Sequence, residues 1–290
     1  MRRKLLFGLL VTLLLALTLF VSQPVLAATC TSNGTGSWNA SGTWSCGHVP
    51  VDGDAVIIAS THTVTVTNTA SLSGLTVNGT LTVGDSSTAG AITVNGDVAI
   101  ANTGLITTTN VSATHAMTIT GNLTNDGTFN GSPSSGRIIN VTFNKNGNQT
   151  VSGIGTTQFY SITLNMGTSN ANVLDVQSVI SMTSGGLTLN NGTFKLSSAS
   201  TITPCVGSKT IGSSAGFYLN HAGAVSNWGS SGSLTVNGVL TITNGTMTVG
   251  SGSGNELEVN GSSASVALSG GTLNVAGRVR NRLCVIGTEP

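Results

Sequence analysis

Between positions 75 and 83 apolar and polar side chains alternate. Leu75, Val77, Leu81 and Val83 point one way, Thr76 and Thr82 the other, and Asn78-Gly79 sits between the two halves. A period of two is the signature of a strand with one buried face. Branched aliphatics and Thr favour that state. Related phrases begin at Ile92, Met117, Leu187, Leu234 and Leu257, with a weaker copy at Ile162. The intervals from Met117 to Ile162 and from Leu187 to Leu234 are close to twice the interval from Leu234 to Leu257. One degenerate copy is therefore expected inside each of the two.

Two architectures compete for this phrase. An Asn-Gly pair flanked by alternating apolar residues is the strongest short signal for a β-hairpin. The same pair can supply the positive φ of a tight corner between parallel strands. A short repeat at the lower end of the solenoid range, built of short strands that return in register, favours the second. The predicted fold class is all-β: a right-handed parallel β-helix, or β-solenoid, with an N-terminal cap built on a disulfide and tryptophans. Aliphatic ladders would lie inside and Thr, Ser and Asn outside. The 263 residues after position 27 allow roughly 11 coils, or about 50 Å of stacked sheet. Residues 28–74 are read as the cap and first strands, and 75–290 as the repeats, with the C-terminus ending as a fragment of a longer chain would.

Composition supports this reading. Thr (44), Ser (36), Asn (27) and Gly (39) make up 146 of 290 residues, and only 7% are charged. Helical bundles need Glu, Lys, Ala and Leu at helical period, so they are excluded. Disorder goes with low hydrophobicity and high net charge, whereas mean hydropathy is +0.28 and net charge +1. No basic footprint for nucleic acid is present.

The chain begins with Arg2-Arg3-Lys4, an apolar run at 5–21, and Val25-Leu26-Ala27 before Ala28. This is the pattern of an export signal over residues 1–27, with cleavage after Ala27. Its removal takes three of ten basic residues and none of the nine acidic ones, leaving a formal charge of −2. No later stretch is apolar enough to span a membrane. The expected location is the surface or surroundings of a bacterium. An oxidising compartment pairs cysteines. Proximity favours Cys30–Cys46, closing a loop around Trp38 and Trp44, and leaves Cys205 with Cys284.

The run Ser37-Trp38 through Trp44, Pro50, Gly53-Asp54 and Val56-Ile57-Ile58, followed by Thr63–Thr67 and the first Leu-Thr-Val-Asn-Gly phrase, resembles the eight-glycine domain of fibrocystin-type and hyaluronan-degrading proteins. The resemblance covers about residues 36–120. The remainder is similar to haemagglutinin-like bacterial surface solenoids in composition and period. The resemblance implies an extracellular β-rich module that contacts carbohydrate, and it transfers no catalytic residue.

Candidate chemistry is sparse. Trp38 and Trp44 are the sugar-stacking candidates, with the alternative that they anchor the core of the cap. Asp52 and Asp54 are the one close acidic pair near the cap, and Ca²⁺ is the cation they would suit; the alternative is a turn before a strand in which Asp54 satisfies backbone N–H groups at the strand entry. Glu256 and Glu258 share a strand face at roughly 6.6 Å, within the range of glycosidase carboxylates. Arg278, Arg280 and Arg282 form one basic face. Gly212-Ser213-Ser214-Ala215-Gly216 fits a nucleophile-elbow pattern, but no helix-forming pattern follows. His48, His62, His115 and His221 are scattered singly. Recurrent Thr suggests an ice-binding ladder, though along the sequence its register wanders. The reading is a non-enzymatic exported structural or adhesive solenoid whose partners are glycans or other surface components, with neither nucleic acid nor membrane. A carbohydrate-active β-helix enzyme is the first alternative and an ice-binding Thr-ladder protein the second.

Overall fold

The computed structural model describes residues 27–85, 87–109, 114–229 and 231–282. Residues 1–26, on which the expected export signal falls, and Cys284 lie outside the described residues. The coils stack strand on strand over three faces, with short separate strands in the first coils and, further on, long strands such as Ile180–Leu196 that continue round a corner; each segment pairs in parallel with its counterpart one coil away. The first complete coil shows the plan: Ala55–Ile58 on a first face, Thr63–Val66 on a second and Thr69–Leu72 on a third. These pair with Gly74–Val77, Thr80–Val83 and Ala91–Val94 of the next coil. Within the described strands every ladder is parallel; antiparallel contact is confined to two isolated bridges, Ser32 with Trp44 and Ser134 with Arg137. The hairpin alternative is therefore overturned.

Stacking like on like gives the interior its order. On the first face one inner ladder runs Cys30, Val56, Leu75, Val98, Leu123, Val151, Val176, Leu196, Leu219, Ile242 and Leu268. All but Leu268 are buried, and each buried aliphatic side chain contributes about 1.5–3 kcal/mol relative to exposure. Aromatics pack against one another in the middle of the core. Phe129 meets Phe159 with ring centroids 5.2 Å apart, and Phe217 meets Trp228 edge to face at 4.9 Å. Near the end of the described chain the interior opens, with Leu268 and Val279 more than half exposed.

The repeat phrases map onto this plan with one revision. Ile92, Met117, Val141, Ile162 and Leu187 form one ladder on the third face. Val141 is thus the degenerate copy expected in the first long interval. Lys209–Ile211, paired with Leu234–Val236, is the copy in the second. The short interval from Leu75 to Ile92 is not a coil. Leu75 lies on the first face and pairs with Val98, while Ile92 lies on the third and pairs with Ala70. A similar phrase was reused at a different corner.

The corner glycines divide: Gly192 and Gly261 take the expected positive φ, at 96° and 109°, and others do not. Gly79, Gly96 and Gly238 do not take positive φ. Glycine is required there because neighbouring coils approach too closely for a side chain. A Cβ on Gly79 would lie 2.3 Å from the Ala59 carbonyl oxygen, and one on Gly96 would lie 2.0 Å from that of Ser73.

The Thr register, expected to wander, is strict on the third face. Thr93, Thr118, Thr142, Thr163 and Thr188 stack in five successive coils, beneath them Ser71. Their side chains point outward because the flanking positions, such as Ile92 and Val94, are buried.

Candidate functional site

The N-terminal cap is assembled from the residues that the sequence singled out. Cys30 and Cys46 form a disulfide with Cα atoms 5.0 Å apart. It closes a loop that folds Trp38 and Trp44 onto the end of the solenoid. The two indoles meet edge to face at 4.8 Å, and Trp44 Nε1 donates to the Trp38 carbonyl oxygen at 2.8 Å. Trp38 and Trp44 are 0% and 1% exposed. Their faces are therefore unavailable for stacking on a sugar, and the assignment of Trp38 and Trp44 as ligand-binding residues is withdrawn. An end of a solenoid must cover its last apolar rung, and this pair does so.

Asp52 and Asp54 are turned to different surroundings. Asp54 is fully buried. Its Oδ1 accepts from the Ala28 N–H at 2.8 Å, and its Oδ2 accepts from Val51 N–H at 3.0 Å and His48 Nε2 at 3.0 Å. Burial alone pushes this carboxyl up; the Val51 and Ala28 donors and His48 outweigh it and hold Asp54 below the ordinary carboxylate range. The other ring nitrogen of His48 faces the Cys46 carbonyl oxygen at 3.1 Å. Asp52 is exposed, and its Oδ1 accepts from Ser71 and Asn95 on the third face. The two carboxylates do not converge on a cation site. Among the described residues, the one cluster of three metal-ligating types is Cys30, Cys46 and His48, and its two sulfurs are joined in the disulfide.

The acidic and basic stripes near the C-terminus face each other. Glu256 accepts from Arg278 at 3.1 Å and from Arg280 at 2.9 Å, and Glu258 pairs with Arg282. Neighbouring coils thus neutralise the pair proposed for glycoside hydrolysis and the basic face alike. Gly212–Gly216 leads into strand Ala215–Trp228, not into a helix, so the nucleophile-elbow pattern lacks its structural context. His115 is buried and accepts from Gly90 N–H at 3.1 Å through Nδ1. Among the described residues Cys205 is a free thiol, raised by burial, with Lys209 acting in the opposite direction; the pairing expected for it involves Cys284, outside the described residues.

The sequence did not draw attention to one further cluster. Thr150, Asp175, Lys195, Tyr218 and Thr241 form an outward column on the first face. Lys195 Nζ lies 3.2 Å from Asp175 Oδ2 and 5.5 Å from the centre of the Tyr218 ring. Tyr218 OH donates to Asn220 Oδ1 at 3.0 Å, as does Thr243 at 2.8 Å. A depression of about 370 Å³ beside this column is lined also by Asn148 and Val173. The signal was present as spacing: Asp175, Lys195 and Tyr218 follow one another at close to the repeat length, one coil each.

Fold and cap define an all-β parallel solenoid closed at its N-terminal end by a disulfide. Residues 43–132 match the model of the G8 domain, the eight-glycine module that the motifs resemble. The match begins at Thr43 and runs past residue 120. No curated protein and no solved structure matches the chain. No helix among the described residues is long and apolar enough to cross a membrane.

Proposed function

We propose that the chain is an exported, non-enzymatic structural rod of a bacterial cell surface or its surroundings, and that its first face contacts glycans. The observation that carries this reading is the ladder from Cys30 to Leu268, with a polar exterior stacked upon it. Such a ladder joins distant parts of the chain through backbone hydrogen bonds and leaves long faces free for contact. The Cys30–Cys46 disulfide suits an oxidising compartment, and an eight-glycine module suits an extracellular one. Glycan contact fits the Asp175–Lys195–Tyr218 column, which combines a partly exposed ring with charged and amide donors and acceptors. The experiment is a glycan array probed with the chain from Ala28, alongside Tyr218→Ala and Lys195→Ala. Binding weakened about tenfold or more by each substitution supports the contact, since one good interaction is worth about 1.4 kcal/mol. Absence of binding, or binding indifferent to both, counts against it.

The third face favours a second reading. Five stacked threonines at the strand spacing of about 4.8 Å have Asn95, Thr120, Asn144, Asn165 and Asn190 two residues on. This is a regular array of hydroxyl and amide groups of the kind that orders water at an ice surface. It follows Thr-x-Thr only at Thr118–Thr120 and Thr-x-Asn elsewhere. Thermal hysteresis that Thr142→Tyr abolishes would support it; ordinary freezing behaviour of the unsubstituted chain would exclude it.

A further inference from the structure

The Ala28 nitrogen that touches Asp54 is the atom that leader removal would set free. Ala27 is exposed, whereas the Ala28 nitrogen lies 2.8 Å from a carboxylate with 0% exposure. The Ala28 carbonyl oxygen accepts from Ala55 N–H at 2.8 Å, and the strand that follows, Thr29–Thr31, pairs with Ala55–Ile58. The Cys30–Cys46 disulfide ties the same strand to the cap. The nitrogen is thus fixed in place by the ladder. In an uncleaved chain it is a neutral amide with one proton to donate. A fully buried carboxylate calls for a compensating positive charge, and among the described residues His48 is the one ionisable side chain in hydrogen-bond contact with it.

We propose that Asp54 is the receptor for the processed N-terminus. This inference rests on the export reading given above. A leader-cleaving peptidase of the exporting cell adds water across the Ala27–Ala28 peptide bond. A carboxylate remains on Ala27, and the amine left on Ala28 takes up a proton. The resulting ammonium faces Asp54 Oδ1 from the position that the amide already occupies. A charge-assisted contact of this kind is shorter and about twice as strong as a neutral one, so the cap reaches full stability only after the leader is gone.

The groups facing the pair are few. His48 Nε2 and Val51 N–H hold Oδ2, each at 3.0 Å. Cys30 Sγ lies 3.8 Å from Oδ2, but as a disulfide sulfur it does not titrate. Asp52, two residues away, is turned outward to Ser71 and Asn95. An ammonium stabilised by Asp54 has a higher pKa in the folded chain than the ordinary 7.7–8.0 of a free α-amine. Its contribution is therefore complete below that ordinary value and disappears as pH rises through the raised one.

The test compares two forms of the chain to Pro290. One begins with a free amine at Ala28; the other carries Gly-Ser-Ala27 before it. Each is prepared as wild type and as Asp54→Asn. At pH 7 the free-amine form should melt about 2–4 °C higher, the shift expected for one buried interaction in a chain of this size. The difference should vanish in Asp54→Asn and at pH 11. Equal melting of the two wild-type forms, or the same difference in Asp54→Asn, overturns the proposal. Should Asp54→Asn not fold, acylation of the wild-type α-amine decides. It should be at least tenfold slower in the folded chain than in the unfolded one, and equal rates overturn the pairing. Mass spectrometry of the protein made by an exporting cell separates the two readings. A mature chain starting at Ala28 supports both. A leader removed at another bond overturns this inference and leaves export standing. An uncleaved chain held inside the cell overturns export, while the two recombinant forms still report on the pairing itself.

Discussion

Trp44 donates its indole N–H to the Trp38 carbonyl oxygen at 2.8 Å while the two rings meet edge to face at 4.8 Å. The pair therefore has a structural job with two separable parts: apolar filling and one buried hydrogen bond. Trp44→Ala should destabilise the chain by about 3–5 kcal/mol, as large-to-small changes of a buried aromatic do. Trp44→Phe keeps most of the filling and loses the donor, so it should cost less, about 1–3 kcal/mol for the unsatisfied acceptor and lost volume. Urea denaturation measures both. Any glycan binding that survives in the folded Trp44→Phe protein should be unchanged, because neither ring reaches the surface.

Corner glycines should divide by what a side chain would meet. A Cβ on Gly238 would stand 2.2 Å from both the Ala215 and Gly212 carbonyl oxygens, which are backbone and cannot rotate away. Gly238→Ala must push two coils apart and should cost about 1–3 kcal/mol. Gly34 has nothing within 4 Å and no positive φ. Gly34→Ala should be neutral, or stabilise by about 0.4–1 kcal/mol through the unfolded chain. Similar melting temperatures for the two variants would contradict the close-approach account.

The fold was legible because a solenoid repeats its instructions. Alternation at positions 75–83, and intervals near one and two repeat lengths, announced the ladders and one hidden copy in each long interval, which the structure places at Val141 and Lys209–Ile211. The pattern did not say which corner a phrase occupied, so it did not show that Leu75 and Ile92 lie on different faces. Nor could local sequence distinguish a glycine needed for its φ from one needed for space, since the clash at Gly79 comes from Ala59 and His62 in the coil before. The site was less legible. Residue type suggested Trp38 and Trp44 as sugar platforms, but a solenoid end needs large apolar groups for itself. Asp52 and Asp54 looked like a pair, yet two positions apart in a turn they serve the third face and the buried cap separately. The Asp175–Lys195–Tyr218 column was hidden because its members are a coil apart and belong to no motif.

Acid should weaken the chain in two stages. His115 is held below its ordinary range by burial, against an opposing pull from Asp85. The unfolded chain therefore binds that proton more readily, and stability falls as pH drops below about 6.5 toward the lower folded value. Asp54, also depressed in the folded chain, contributes stability that is present above about pH 4 and is lost as pH falls through its folded value. Thermal melts between pH 7 and pH 2 should show both losses. His115→Asn should remove the first and Asp54→Asn should reduce the second, to which the likewise depressed Asp85 and Asp175 also contribute; an acid profile unaltered by either substitution would refute these assignments.

The ion pairs at the C-terminal coils should matter little. Arg278, Arg280 and Arg282 are each more than a third exposed at the side chain. Arg280→Ala should change stability by less than about 1 kcal/mol, and the change should shrink further in 1 M salt. A larger, salt-insensitive loss in denaturation experiments would show that the Glu256 network does more than neutralise the two stripes.

The central claim is that one parallel ladder runs unbroken through the chain, and a distance along it tests this most directly. Thr76 and Thr241 stand on the outer first face beside Leu75 and Ile242, seven rungs apart. At about 4.8 Å per rung, spin labels at these two positions, in a Cys205→Ser, Cys284→Ser background, should give a narrow distribution centred near about 34 Å by pulsed electron resonance. A broad distribution, or a mean below about 20 Å, would mean that the coils do not stack in this order.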